Sequence, residues 1–399
     1  MTDEAKAFGQ KVALLRKRRG LSQREFAALI SRSEAWVSQV ERGARRIDRM
    51  SVLESLANAL GVPLSEIAPE KPVVAAQHER PAPAVDLTLA LSSSSALAAV
   101  FGERASSGMT ELTEATEQAW SFVHAAEYQR VSDLMVQLLP ELEFAARSAE
   151  GDTQRAIYAA LARAYHACAS VLTKLGEPAG AWVSADRAIA AAERSGDALL
   201  MAEGAFRLTL VFQGSRQFAQ VVSTASTAIR ALAGKVETGD PAAISLAGAL
   251  HLQLAVAAAR RNEHQVAYDE LAAADDLAER LGFDRNDYGT EFGPTNVKLH
   301  YASVAVELGD AGRAIQVGEE LDASDLSPER RARLLVELAR AHAQRRDVDR
   351  AVACIDEAFS IAPEQISGHP VVHALVRDLQ HVGGGNRAAL TALMGRLGI

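Results

Sequence analysis

The sequence predicts an all-α chain in three parts: a small helical head over residues 1–67, a Pro/Ser-rich flexible linker over 68–110, and a long array of helical hairpins over 111–399. Three observations carry this. Apolar residues recur at helical spacing, and no strand alternation stands out beyond residue 110. Helix caps punctuate the head. Small residues recur at fixed offsets through the remainder. At 399 residues two or more domains are expected, and 48% hydrophobic with 23% charged residues is ordinary for a globular chain. Aromatic content of 5% beside abundant alanine favours close-packed helices.

The head opens with a helix over 4–19, with Phe8, Val12 and Leu15 inward and Lys11, Lys17 and Arg18 outward. Ser22 followed by Glu25 is a capping box, so the next helix starts there, with Phe26, Ala27 and Ile30 as its apolar face. Ser31-Arg32-Ser33 breaks it, and Ser33 caps a further helix that buries Val37 and Val40 and stops at Gly43. Two short helices joined by so short a turn make a helix-turn-helix unit, whose second helix enters the major groove of DNA. Arg45, Arg46 and Arg49 follow, either as phosphate contacts or as a solvated basic loop. Ser51 and Glu54 form another capping box, leading Val52, Leu53, Leu56 and Leu60 into a closing helix, and a last turn spans Leu64 to Ile67. Residues 1–62 carry twelve Lys/Arg against seven Asp/Glu, a net of +5 within a chain of −9, so the rest carries −14. A basic head on an acidic body suits a protein whose head alone meets phosphates.

Leu15-Arg16, Gly20-Leu21-Ser22-Gln23, Ser33 and Val37 to Gly43 together resemble the repressor-like (Xre) helix-turn-helix family over about residues 5–67. The resemblance implies roles position by position. Gln23 would hold a phosphate at the start of the first motif helix, and Glu34, Ala35 and Gln39 would face base edges. Trp36 and Ser38 would lie against the sugar-phosphate backbone, with Ser33, Arg42, Arg45 and Arg46 completing the DNA-contacting set. Arg16 and Glu41 match a partly buried pair in that family. Ser31 and Arg32 depart from the family, which commonly has Gly and then an apolar residue in the turn. A non-Gly residue at positive φ costs about 1 kcal/mol, so the turn is built differently or the domain tolerates that cost.

Between residues 68 and 110, Pro69, Pro72, Pro81 and Pro83 exclude a continuous helix, Ser92 to Ser95 add a polar tract, and Ala96 to Phe101 have room for one or two helical turns. Treated as about 40 flexible residues, this tether has an r.m.s. span of about 35 Å, comparable to adjacent DNA half-sites. Beyond it, five small-residue anchors follow short turns: Ala181, Ala219, Ala267, Ala314 and Ala351, spaced 38, 48, 47 and 37 residues apart. Ala188, Ala274 and Ala358 lie seven residues after three of them; Ala169, Ala255, Ala302 and Ala339 lie twelve before four. A weaker sixth unit with Ala119-Trp120 and Tyr128 to Val131 precedes them. Small residues at such offsets let paired helices approach closely. The pattern resembles a degenerate tetratricopeptide repeat, longer than its ideal of about 34 residues, which implies an α-solenoid with a concave inner face. Arg387 to Leu397, with Leu390, Leu393, Met394 and Leu397 on one side, reads as a capping or dimerising helix.

A repressor-type head on such a solenoid resembles the peptide-sensing regulators of Gram-positive bacteria, whose groove binds a short peptide and whose solenoid dimerises. No motif fixes a ligand here. The most informative stretch is Phe283 to His300, where a loop with Gly282, Gly289 and Gly293 stretches the repeat before Pro294. Thr295 and Asn296 then fall in a first helical turn, where free N–H groups favour an anion such as a carboxylate; the alternative is an ordinary helix start. His166, Ser170, His300, Arg333 and Arg340 join them as inner-face candidates, with Arg207 and Gln253 included by a one-residue shift of register.

The first residues lack the apolar core of a signal peptide, and the nearest approach to a membrane span, Val85 to Phe101, contains Asp86 and four serines. A cytoplasmic protein without membrane association is expected. Cys168 and Cys354 read as free thiols inside apolar patterns. His369 and His373, at i and i+4, lack a third ligand nearby, so neither metal nor cofactor is expected. No phosphate loop, nucleophile elbow or paired-carboxylate site points to an enzyme. The expected function is a homodimeric, sequence-specific transcription regulator that binds an operator in double-stranded DNA. Its solenoid would sense a peptide or small anionic molecule. Two other readings remain: an antitoxin-like regulator whose solenoid binds a partner protein, and a scaffold with a vestigial head.

Overall fold

A computed structural model describes residues 3–45, 47, 50–62, 64–67, 81–92, 108–382 and 385–399. The head comprises α1 (Asp3–Arg18), α2 (Gln23–Leu29), α3 (Glu34–Glu41), α4 (Met50–Leu60) and α5 (Leu64–Ile67). Both halves of the Ser22–Glu25 capping box form, and the Ser33 hydroxyl accepts the Trp36 N–H, so α2 and α3 begin where their caps dictate. Ser31 sits at φ 53°, the left-handed conformation that the family's glycine would take without strain. Val12, Phe26, Val37 and Leu56 are fully buried between the helices. Gly9 brings α1 against α3 backbone to backbone, since a Cβ there would lie 2.3 Å from the Val40 carbonyl oxygen. One expected boundary moves: α4 begins at Met50, one residue before Ser51.

The tether is shorter than the sequence suggested. Ala82–Ala90 forms a helix, α6, with Pro83 in its first turn, where a missing N–H is harmless, and its Ala84 and Leu87 are buried in the array's core. The prolines that exclude a continuous helix here begin a short one. Residues 68–81 therefore separate head from docked helix and reach at most about 50 Å. The predicted turn at Ala96 to Phe101 lies outside the described residues.

Twelve helices follow as six hairpins: α7 (Met109–His124) with α8 (Tyr128–Ser148), α9 (Gly151–Lys174) with α10 (Pro178–Ser195), α11 (Ala198–Gly214) with α12 (Phe218–Glu237), α13 (Pro241–Arg260) with α14 (His264–Leu281), α15 (Pro294–Leu308) with α16 (Ala311–Glu319), and α17 (Pro328–Gln344) with α18 (Val348–Ile361). Each hairpin turns on one residue at positive φ: Ala126, Gly176, Arg216, Asn262, Gly309 and Arg346. Five residues later comes a side chain buried against the first helix: Val131, Ala181, Val221, Ala267, Ala314 and Ala351. Four of the five expected anchors hold this position. The fifth does not: Ala219 is exposed, and Val221 is the buried residue. The turn at Arg216 sets the register, and Ala219 is a small residue that happens to lie nearby. Twelve residues before the corrected anchors, Ala119, Ala169, Thr209, Ala255, Ala302 and Ala339 are all buried.

The first helix of each hairpin packs on the first helix of the next, forming an inner row that coils until α17 touches α7. Lys174 pairs with Glu329 at 2.7 Å and the Gln129 N–H donates to Glu364 at 2.8 Å, tying the early hairpins to the last hairpin and to the short helix after it. The helices α19 (Pro363–Ser367), α20 (Pro370–Val382) and α21 (Arg387–Leu397) close the end. Leu390, Leu393 and Leu397 of α21 are buried within the chain, so its apolar side serves as a cap. Among the described residues α13 is long and apolar enough to span a membrane, but 89% of its apolar window is buried in the array; the second half of Val85 to Phe101 lies outside the described residues.

The head rests on the array through α1, α2 and α5. Arg18 donates to the Ala259 and Arg260 carbonyls at 2.8 and 3.1 Å, and the Gln344 amide donates to the Arg18 carbonyl at 2.8 Å. Arg19 pairs with Asp378, Arg216 with Glu66, and Arg346 with Glu25. Gly20 permits close approach: its Cβ would lie 2.7 Å from the Ala343 carbonyl oxygen. Two substitutions test the head's packing. Gly9→Ala should destabilise it by about 1–3 kcal/mol through overpacking, and Ser31→Gly should stabilise it by up to about 1 kcal/mol. Chemical denaturation of the full chain, followed by fluorescence, checks both.

Candidate nucleic-acid interface and effector site

Helix α3 is braced from behind and open in front. The Arg16 guanidinium grips the Glu41 carboxylate at 2.5 and 3.0 Å and donates to the Leu21 carbonyl at 2.5 Å, so the partly buried pair expected from the sequence is formed. Gln23 joins it: its amide donates to Glu41 at 2.7 Å, which holds the side chain toward α3 and leaves its carbonyl oxygen for other contacts. On the other side Glu34, Ala35 and Gln39 are exposed, and Trp36 and Ser38 are half-buried. Arg45 donates to the Gln39 side-chain oxygen at 3.3 Å and, with Arg32, lies over the Trp36 ring at 5.8 and 5.7 Å. The Arg42 side chain folds back on the Ser38 carbonyl at 3.2 Å. Ser33 serves as the cap. Arg46 and Arg49 lie outside the described residues. The sequence did not reveal that Arg32 and Arg45 flank Trp36, although Arg32 lies about one helical turn before it and Arg45 just beyond the end of α3.

The inner row gathers the other candidates but does not leave them free. His166, Ser170, Arg207, Gln253, Asn296 and His300 are buried, while Thr295, Arg333 and Arg340 are half-buried. Gln253 accepts from the Gln213 amide at 2.8 Å. His300 Nε2 accepts from Arg333 at 3.3 Å, and its Nδ1–H donates to the Asn296 carbonyl at 2.9 Å. Burial first, and then Arg333, keep this imidazole well below the usual histidine range. Arg340 binds Glu337 at 2.7 Å and Glu307 at 3.1 Å. Burial pushes Glu307 up, but Arg340, Arg260 and Arg18 outweigh it and hold the carboxyl at about 2. The positive charge of the arginines among these candidates is therefore largely neutralised by acids such as Glu203, Glu307 and Glu337. Glu203 with Arg207 (i, i+4) and Glu337 with Arg340 (i, i+3) carried a signal, because such spacings place opposite charges side by side.

The start of α15 is also filled. Thr295 N–H donates to the Asp284 carboxylate at 3.0 Å, so the carboxylate expected at this helix start is the chain's own. Asp284 is where the inserted loop begins. Loop residues Tyr288 and Glu291 take φ of 52° and 47°, each costing about 1 kcal/mol or more. Arg207 donates to the Tyr288 and Gly289 carbonyls, both at 3.0 Å, while its guanidinium lies 4.7 Å from the Trp120 ring centre. Arg330 donates to the Thr290 carbonyl at 3.1 Å and to Glu291 at 3.2 Å. Behind Arg207, Glu203 lies 3.5 Å away with no hydrogen bond to either oxygen, and the ring nitrogens of His166 also lack partners. His373 Nε2 lies 2.6 Å from the Ser367 carbonyl oxygen, and no metal-binding group of three His, Cys, Asp or Glu occurs among the described residues.

Residues 7–69 match a family described as a helix-turn-helix domain. The head is a helix-turn-helix domain. Its match points to DNA binding rather than to catalysis. Among solved structures, PlcR of Bacillus thuringiensis, in complex with the peptide PapR7 and DNA, aligns over 70% of this chain and 96% of its own. Identity is 14% and the TM-score 0.29. No curated protein matches the sequence.

Burial pushes the Glu203 carboxyl up to about 7, against the pull of Arg207. The folded state therefore holds a proton that the unfolded chain releases near pH 4.5, and this group's contribution to stability falls as pH rises from about 4.5 to 7. Glu203→Gln should remove that fall, which is on the order of 3 kcal/mol at most. Thermal midpoints of wild type and variant across pH 4.5–7.5 measure it.

Proposed function

We propose that this chain is a sequence-specific transcription regulator, dimeric through its helical array, which senses an effector in the inner face of that array. The observation that carries the DNA-reading half is the exposed set Glu34, Ala35 and Gln39 on a helix braced by Arg16–Glu41, in a head docked through α1, α2 and α5. Base edges are read by side chains projecting from such a helix, while arginines around it hold phosphates. Arg42 and Arg45 are the described candidates for that second role. The sensing half draws on the polar inner row and on the head's contacts with four different parts of the array, at Arg216, Arg260, Gln344 and Asp378. A ligand that alters the coil changes what the head can hold. Dimerisation would then bring two heads to two half-sites.

Selection of DNA from a random pool, with and without cell extract, tests the whole reading. A discrete operator is expected, with affinity falling steeply as salt rises. Gln39→Ala should cost about 1–3 kcal/mol of preference for that operator over random DNA. If it binds both in the parent's ratio, α3 does not read bases. Arg42→Ala should weaken all duplexes alike and lower the slope of log affinity against log salt by about 0.9.

A further inference from the structure

The connection between α14 and α15 is longer than any other between hairpins, the next longest being residues 320–327. Residues 282–293 join these helices, whereas 149–150, 196–197 and 238–240 suffice for the earlier hairpins. The extra length does not loop out over the surface. It runs inward and touches first helices of four hairpins: Asn286 reaches His124 on α7 at 3.4 Å, Gly289 meets Arg207 on α11, Asp287 accepts from Ser245 on α13 at 2.8 Å, and Glu291 meets Arg330 on α17. Phe292 is fully buried over Gly248 of α13, where a Cβ would lie 1.9 Å from the ring. Gly289 is wedged as well, with a Cβ that would lie 2.7 Å from Trp120 and 2.8 Å from Arg207.

These contacts are those of a peptide ligand. Two arginines receive three successive main-chain carbonyls, one takes an acidic side chain, and an aromatic ring fills a slot kept open by a glycine. The fit is incomplete. Two residues of the loop hold positive φ without being glycine, and the Arg207 Nε and both Glu203 oxygens behind it are buried without hydrogen-bond partners. Buried polar groups left unpaired favour any occupant that satisfies them.

We propose that the segment Phe283–Gly293 is an internal occupant of a peptide-binding site, and that this site takes a peptide that turns back on itself as the loop does and carries an acidic residue followed by an aromatic one. Arg207 and Arg330 receive the peptide's carbonyls, Arg330 its acidic group, and the cleft over Gly248 its ring. The proposal rests on the reading of the array as a sensor and names the chemistry that the sensor accepts. An effector of this kind binds by displacing the loop.

The probe is a fluorescein-labelled synthetic peptide with the loop's own sequence, FDRNDYGTEFG. Fluorescence anisotropy measures its binding to the full chain, with a scrambled peptide as control. Gly289→Ala expels the loop by steric clash, and Phe292→Ala releases its anchor, so that one variant remains informative if the other fails to fold by circular dichroism. We expect either folded variant to bind the peptide at least tenfold more tightly than wild type. Adding Arg207→Ala should abolish the gain. Equal binding to wild type and folded variants, no binding to any of them, or equal binding of the scrambled peptide overturns the proposal. Specific binding to the variants that leaves their affinity for selected DNA unchanged supports the site and removes the sensing reading. Failure of this peptide, beside a cell-extract effector that alters DNA binding of the wild type, removes the proposed site and leaves sensing standing.

Discussion

One backbone conformation, repeated six times, sets the geometry of the array. The residue between paired helices adopts positive φ, which ends the first helix and reverses the chain within a few residues. Because the turn has constant geometry, the fifth residue after it always faces the first helix, and only a small or β-branched side chain fits there. Four of the six turn residues, Ala126, Arg216, Asn262 and Arg346, are not glycine. Packing along the inner row must therefore outweigh their strain. The same turns are where the head finds its footing, at Arg216 and Arg346 directly, through the Arg260 carbonyl next to the turn at Asn262, and through the Gln344 side-chain amide next to the turn at Arg346.

What the sequence made legible was local. Caps at Ser22 and Ser33, the buried faces of α2 and α3, and the Arg16–Glu41 pair follow from side chains interacting within one motif, and the hairpin series follows from its small residues. The slip at Ala219 shows the limit of that signal: alanine is frequent enough to imitate an anchor, while the valine that holds the position carries no distinctive size cue. Helix α6 is hard to read from the sequence because proline breaks a helix interior but fits its first turn, where Pro83 stands. The inner-face candidates lie buried or half-buried, and although Glu203 and Glu337 stand within about one turn of Arg207 and Arg340, partners such as Glu307 come from helices tens of residues away, where charge neutralisation has no periodicity to read. The inward course of the inserted loop depends on Arg207, Arg330 and Gly248 together, which no local pattern links.

The polar interior explains why these charges are tolerated. Arg340 is shared between Glu307 and Glu337, and Glu329 between Lys174 and Arg330, so desolvation is offset by several partners at once. Such sharing orients each helix of the inner row relative to its neighbours more narrowly than apolar contacts alone would. Glu203 and Arg207 are the exception, a pair backed by unsatisfied atoms and covered by a strained loop.

The meeting of α7 with α17 has a consequence for how the molecule assembles. In an open solenoid each repeat leans only on its neighbours, so the ends fray and folding spreads outward from any point. Here Lys174 and Gln129 reach across more than 150 residues to Glu329 and Glu364, and the coil has no loose end in its first or last hairpin. Contacts so distant along the chain form late, because a long loop must close before they yield anything. The array should then behave less like a row of independent tiles than like a clasped bracelet, slow to fasten and difficult to open from either side.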